Sequence, residues 1–123
     1  MTVQRIKLGR KGEESAVAFL KRQGYKILSR NFSNVLGEID IIAQEEDTIC
    51  FIEVRTRTSD EQGHPFESIT KNKRRKLTQT ASSYLKYKNL HDWKARFDVV
   101  AVIPHEDGSY DIDIIKNAFD AEF

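Results

Sequence analysis

Two stretches of the chain set a carboxylate inside an otherwise apolar run. In Gly37-Glu38-Ile39-Asp40-Ile41-Ile42-Ala43 the acid Asp40 is flanked by isoleucines, and in Phe51-Ile52-Glu53-Val54-Arg55 the acid Glu53 sits between Ile52 and Val54. An ionised side chain in such a strand is costly to bury unless it is paired or bound to a metal. Side chains alternate along a strand, so Glu53 and Arg55 share one face, as do Glu38 and Asp40. A hairpin register that turns those faces together brings Asp40 and Glu53 opposite each other, with Cβ atoms about 4.5–5.5 Å apart. Two carboxylates at that separation repel unless a cation lies between them. Hard oxygen ligands with open water positions suit Mg²⁺ or Mn²⁺, which polarise a phosphate and activate water. The alternative is that these acids form ion pairs with Arg55, Arg57 or Lys26.

No other residues make a comparable metal site. His64, His91 and His105 are far apart in sequence, lack paired ligand spacing and read as surface histidines. Cys50 is the single cysteine; it precludes an internal disulfide and reads as a small core residue. A second chemical feature is the run Lys71, Lys73, Arg74, Arg75 and Lys76 at the start of a helical pattern. Positive charge is unfavourable at a helix N-terminus, so the run points to an external anion such as phosphate, or else to a solvated face. Tyr87 near the end of that helix and Trp93 beyond it lie close in sequence and either pack the helix end or stack on a base.

The elements that must position these residues are legible in the hydropathy pattern. Gly9–Gln23 reads as a helix with Ala16, Val17, Phe19 and Leu20 as its apolar stripe, Glu13 and Glu14 in its first turn, and Gly24 at its stop. Tyr25–Phe32, Gly37–Gln44 and Thr48–Arg57 read as strands, the last two joined by the turn Glu45-Glu46-Asp47 into an antiparallel hairpin. The polar stretch Thr58–Pro65 is a loop. Thr70–Lys88 is a second helix, with an earlier start near Glu67 as the alternative; Leu77, Ala81, Tyr84 and Leu85 recur at helical spacing. Arg96–Ile103 and Tyr110–Ile115 complete the sheet. The order α-β-β-β-α-β-β, with a helix between the third and fourth strands, predicts a parallel crossover there. The fold class is α/β, a mixed sheet with helices on its faces.

The 123 residues bound a single domain, 1–123. Apolar residues make up 39% and charged residues 32% of the chain, which excludes a disordered or membrane-spanning class. The N-terminus has no apolar stretch behind its positive charges, so it is not a secretory signal, and the expected location is cytoplasmic. The net charge of +1 is uninformative, but its distribution is uneven. Residues 1–36 hold eight Lys/Arg against Glu13 and Glu14, and residues 71–96 hold nine against Asp92, while acids gather between them and at the C-terminal end. That arrangement fits a phosphate backbone approaching a carboxylate site, or simply two solvated helix faces.

Asp40 followed by Glu53-Val54-Arg55 resembles the PD-(D/E)XK nuclease signature. More narrowly, the chain resembles the bacterial YraN-like family from about Gly9 to the last strand. The marks are Gly12-Glu13 opening the first helix, Gly24-Tyr25-Lys26-Ile27-Leu28 with Arg30-Asn31, Gly37-Glu38-Ile39-Asp40 and Phe51-Ile52-Glu53-Val54-Arg55-Thr56-Arg57. Further on stand Lys73-Arg74-Arg75-Lys76-Leu77, Ala81, Tyr84-Leu85 and Arg96-Phe97-Asp98-Val99-Val100. The resemblance implies a restriction-endonuclease-like fold, Mg²⁺ or Mn²⁺ held by Asp40 and Glu53, and a nucleic-acid partner, DNA first. Archaeal Holliday junction resolvases are similar and carry a catalytic Glu on the first helix; by its spacing to Gly24 that residue is Glu13 rather than Glu14. A favourable charge at a helix N-terminus is the competing account of either acid. Lys73 matches a basic residue that faces the site in the family, with Arg74, Arg75 and Lys76 beside it for nucleic acid. Symmetric cutting of a branched junction would need a homodimer. The chain departs from the superfamily at Arg55, where lysine is usual. Arginine can stabilise charge on phosphate but does not act as a base, and it can instead bridge Asp40 and Glu53 and silence the site.

Overall fold

A computed structural model describes residues 3–56 and 69–123, with side chains described from residue 11 onward. The expected loop Thr58–Pro65, Arg57, His64 and the alternative helix start at Glu67 lie outside the described residues. Seven elements follow in the order read from the sequence: α1 Val3–Arg22, β1 Lys26–Asn34, β2 Gly37–Glu45, β3 Thr48–Thr56, α2 Lys71–Tyr87, β4 Lys94–Pro104 and β5 Tyr110–Phe119. The five strands form one sheet in the order β1-β2-β3-β4-β5. β1 with β2, β2 with β3 and β4 with β5 are antiparallel, whereas β3 and β4 are parallel. The expected hairpin and the expected crossover through α2 are therefore both present.

The sheet separates two apolar clusters. Ala16, Val17 and Leu20 of α1 pack with Tyr25, Ile41, Ala43, Cys50, Ile52, Val100 and Val102 on one face. Leu77, Ala81 and Tyr84 of α2 pack with Ile39, Ile42, Ile49, Phe51, Phe97 and Val99 on the other. The α2 face is rich in aromatics: Phe32 and Phe51 each meet the Tyr84 ring edge-on at 5.2 and 5.9 Å, and Phe97 stacks on Phe119 at 4.8 Å.

The N-terminal helix departs from expectation. It begins at Val3 rather than Gly9, so Gly12, Glu13 and Glu14 lie in mid-helix and its first turn holds no acid. Val3, Ile6 and Leu8 carry an apolar signal for this part of the helix, interrupted by Arg5 and Lys7 and followed by the helix-weakening Gly9. The helix-dipole account of Glu13 and Glu14 falls away, because that effect is confined to the first turn. Gly12 is instead a point of close approach: a Cβ there would stand 2.6 Å from the Thr56 hydroxyl at the end of β3.

Strand alternation also slips near the candidate site. Asn31 in β1 has φ of 53°, in the left-handed region that Asn tolerates better than most residues. Across the pair, Ile39 and Ile41 stand two residues apart yet join opposite clusters. Strict alternation, which underlay the expectation that Glu38 and Asp40 share a face, does not hold through this stretch.

Candidate functional site

The β2–β3 ladder stops at the pair Ile41↔Ile52, although β2 begins four residues earlier at Gly37 and β3 runs four residues further to Thr56. Asp40 and Glu53 are the next residues on each strand, so they stand where the strands part. The side chain of Asp40 replaces the missing backbone acceptor: its Oδ2 accepts a hydrogen bond from the Val54 N–H at 2.8 Å. The Asp40 carboxyl is pushed up to about 7, first by burial and then by the negative charge of Glu53. The Val54 hydrogen bond opposes the rise, and the charges of Glu13 and Glu38 add to it.

Glu53 is 9% exposed and faces two cations. Arg55 Nε lies 3.8 Å and Lys73 Nζ 3.5 Å from its Oε1. Both separations are too long for hydrogen bonds, so these are loose ion pairs. Arg55 forms no bridge between Asp40 and Glu53. Its Nε is buried and, among the described residues, has no hydrogen-bond partner. A buried donor left in this state costs about 1–3 kcal/mol.

Glu13 belongs to the same locality. Its Oε1 accepts from Asn31 Nδ2 at 2.9 Å and lies 3.5 Å from Arg30 Nη2, while Glu14 takes the closer Arg30 contact at 2.7 Å. The left-handed turn at Asn31 thus places an amide against Glu13, whose charge reaches Asp40. Of the two helix acids, Glu14 is tied to Arg30 at the surface and Glu13 is turned towards the site.

The basic run at the start of α2 divides by role. Thr70 caps the helix, its hydroxyl accepting from Lys73 N–H at 3.1 Å. Lys73 reaches Glu53. Arg74 folds back to donate to the Ile69 carbonyl at 2.9 Å. Arg75 and Lys76 are exposed. Tyr87 and Trp93 stand at the far end of α2, Tyr87 77% exposed and Trp93 more than half covered, and neither borders the carboxylates.

A third acid in an apolar strand was not singled out from the sequence. Asp98 in β4 is fully buried and saturated: it accepts from Arg96 Nε at 2.9 Å, Asn117 N–H at 2.9 Å and Tyr25 hydroxyl at 3.3 Å. Arg96 also donates to Tyr25 Oη at 3.0 Å and to Glu45 Oε1 at 2.7 Å, and Lys116 donates to Glu45 at 2.9 Å. This network ties the start of β1 and the end of β2 to β4 and β5. Cys50 lies beside it, fully buried, with a thiol pushed up to about 12 by burial and the charge of Asp98; it is the inert core residue expected. His105 pairs with Asp111 at 2.9 Å on the surface. A pocket of about 230 Å³, lined by Phe51, Leu85, Arg96, Phe97 and Phe119, opens on the α2 face without including either site carboxylate.

Among the described residues no group of three or more His, Cys, Asp or Glu gathers closely enough to hold a metal unaided. None of their helices is long and apolar enough to cross a membrane.

A five-stranded mixed sheet with a helix on each face and a pair of carboxylates where two central strands part defines an α/β domain with an acidic site. Residues 12–102 match the family described as "Uncharacterised protein family UPF0102". The chain is 46% identical over 121 residues to a UPF0102 protein of Desulfosudis oleivorans, covering 98% of this chain and 96% of that one. It is 49% identical over 113 residues to a UPF0102 protein of Caldicellulosiruptor saccharolyticus, covering 91% and 96%. A UPF0102 protein of Clostridium acetobutylicum is 46% identical over 114 residues, covering 92% and 93%. The chain belongs to the UPF0102, or YraN-like, family.

Proposed function

We propose that the protein is a metal-dependent nuclease or nuclease-like DNA-binding protein, acting on branched or damaged DNA. The observation that carries this reading is the Asp40–Glu53 pair at the parting of β2 and β3, with the Arg55 guanidinium in a loose ion pair with Glu53 beside it. The donor set fits Mg²⁺ or Mn²⁺, which take one or two carboxylates and keep several waters; it does not fit a closed structural zinc site. Asp40 and Glu53 would hold the cation, and Glu13 would complete the shell through water. When bound, such an ion supplies a Lewis acid for the phosphate and a more acidic water for hydrolysis.

The chain's own cations account for the rest. Arg55 presents a donor to a phosphate oxygen, where negative charge builds up during displacement at phosphorus. Lys73, which also faces Glu53, is able to neutralise the same phosphate. Arg75 and Lys76 lie further along the helix, where they contribute sequence-independent attraction to the backbone.

The second reading is a nuclease-fold module that binds nucleic acid without cutting it. It is favoured by arginine at position 55 and by the two cations already set against Glu53. Cleavage with Mg²⁺ or Mn²⁺ of linear, nicked, flapped and four-way DNA, with Arg55→Lys assayed in parallel, separates the two. Cutting by the wild type supports the nuclease, and cutting by Arg55→Lys alone supports the silent module. Equal Mn²⁺ affinity of wild type and the Asp40→Asn/Glu53→Gln double variant by calorimetry would sink the metal site.

A further inference from the structure

The turn between β1 and β2 breaks a local rule of hairpins. Asn34 pairs with Gly37, leaving Val35 and Leu36 as a two-residue loop. Such loops favour Asn, Asp and Gly, which adopt positive φ and present polar groups to water. Val35 is instead fully exposed at 102%, and Leu36 is 41% exposed. Neither is among the residues with positive φ.

This apolar tip is held rigidly. Leu36 N–H donates to Asn34 Oδ1 at 2.9 Å, and Asn34 Nδ2 donates to Ser83 Oγ of α2 at 2.9 Å. Ser83 Oγ in turn donates to the Thr80 carbonyl at 2.6 Å. Gly37 packs so closely on α2 that a Cβ there would lie 2.8 Å from Thr80 Oγ1 and 3.9 Å from the Lys76 carbonyl. The tip is therefore clamped to the middle of α2 through Ser83 and Thr80, with Thr80 one turn along the helix from Lys76 and two from Lys73, whose ammonium meets Glu53. Asp40 lies three residues beyond Gly37, about 10 Å at the rise of a strand.

A fixed apolar projection next to a cationic helix face, at the same end of the sheet as the acidic site, matches the chemistry of a side chain that enters between bases. Apolar residues in that role partly unstack a step while neighbouring cations hold the phosphates. We infer that Val35 and Leu36 form a wedge that occupies an opened base step of a nucleic acid lying along α2. The inference rests on the proposal that the protein binds nucleic acid. It adds a reason for preferring branched, nicked or flapped molecules, in which one step is already unstacked.

The test replaces the tip with polar residues of similar size that suit its negative φ, Val35→Thr with Leu36→Gln, so that the turn geometry is kept and only the apolar surface is lost. Four-way and nicked DNA carrying 2-aminopurine at the discontinuity report unstacking by a rise in fluorescence. The wild type is expected to give that rise and to prefer these molecules over intact duplex. The double variant should lose the rise and on the order of tenfold in affinity for branched DNA, keeping its affinity for intact duplex and its melting temperature. Binding by the wild type without a fluorescence rise, or an equal rise from the variant, overturns the wedge and leaves the nuclease proposal standing. Failure of the wild type to bind any nucleic acid overturns both.

Discussion

Asp40 accepts the amide hydrogen of Val54 across a gap where the β2–β3 ladder has already ended. This relationship fixes one oxygen of the carboxylate and sets Asp40 beside the charge of Glu53. The site is thus bounded by a structural contact on one side and by electrostatic repulsion on the other.

The raised carboxyl of Asp40 gives a pH dependence whose sign is definite. Its ordinary value in an unfolded chain is about 3.9, whereas the folded value is about 7. Between these limits the native state binds more protons than the unfolded one, so without added divalent metal stability should fall as pH rises from about 4 to about 7. Asp40→Asn retains an oxygen acceptor for Val54 N–H and removes the charge. Denaturation across this range should show a flatter profile for the variant and a higher melting temperature at pH 8 than for the wild type. If both profiles have the same slope, burial of the Asp40 charge is not the cause.

Lys73→Glu should weaken binding to every nucleic acid and reduce the dependence of log K on log salt by about 1, the signature of one lost phosphate contact. Fluorescence anisotropy at several salt concentrations reads both quantities. Arg74→Ala should instead lower stability with little change in salt dependence, because Arg74 is occupied with the Ile69 carbonyl.

Gly12→Ala should destabilise the fold by about 1–3 kcal/mol, the usual range for an overpacked contact. The obstruction is Thr56, whose Oγ1 and Cγ2 would lie 2.6 and 3.4 Å from the new methyl group. Adding Thr56→Ala should recover most of the loss in urea denaturation. A double variant no more stable than Gly12→Ala alone would place the conflict elsewhere.

Asp98→Ala should cost about 3–5 kcal/mol, since it leaves the part-buried Arg96 without its closest buried partner. Tyr25 hydroxyl and Asn117 N–H lose their acceptor at the same time. Circular dichroism melts check the magnitude. Mn²⁺ affinity at the carboxylate pair should be unaffected, because Asp98 lies with Arg96, Tyr25 and Glu45 rather than with Asp40 and Glu53.

Much of this arrangement is legible from residue types alone. The order of elements follows from periodicity, and the Asp40–Glu53 pairing follows from two acids in apolar strands joined by a short polar turn. The same signal fails as a discriminator at Asp98, an acid in an equally apolar strand whose hydrogen bonds are all satisfied within the fold. Arg96 is a local partner, two residues back on the same strand face; what only tertiary structure brings to Asp98 are Tyr25 and Asn117, 73 and 19 positions away. The left-handed conformation of Asn31 and the register shift between Ile27 and Ser29 were equally hidden, because neither changes the order of apolar residues in β1. The true start of α1 is masked by Gly9, which reads as a boundary although Val3, Ile6 and Leu8 precede it in the helix.

The hydrogen bond from Val54 to Asp40 also makes the site observable without any substrate. A backbone N–H directed at a carboxylate oxygen changes its magnetic environment when that carboxylate gains a proton or a cation. The Val54 amide resonance is therefore a natural reporter: one peak whose position follows acid titration and whose response to added Mn²⁺ or Mg²⁺ tests whether the fork between the strands holds a cation.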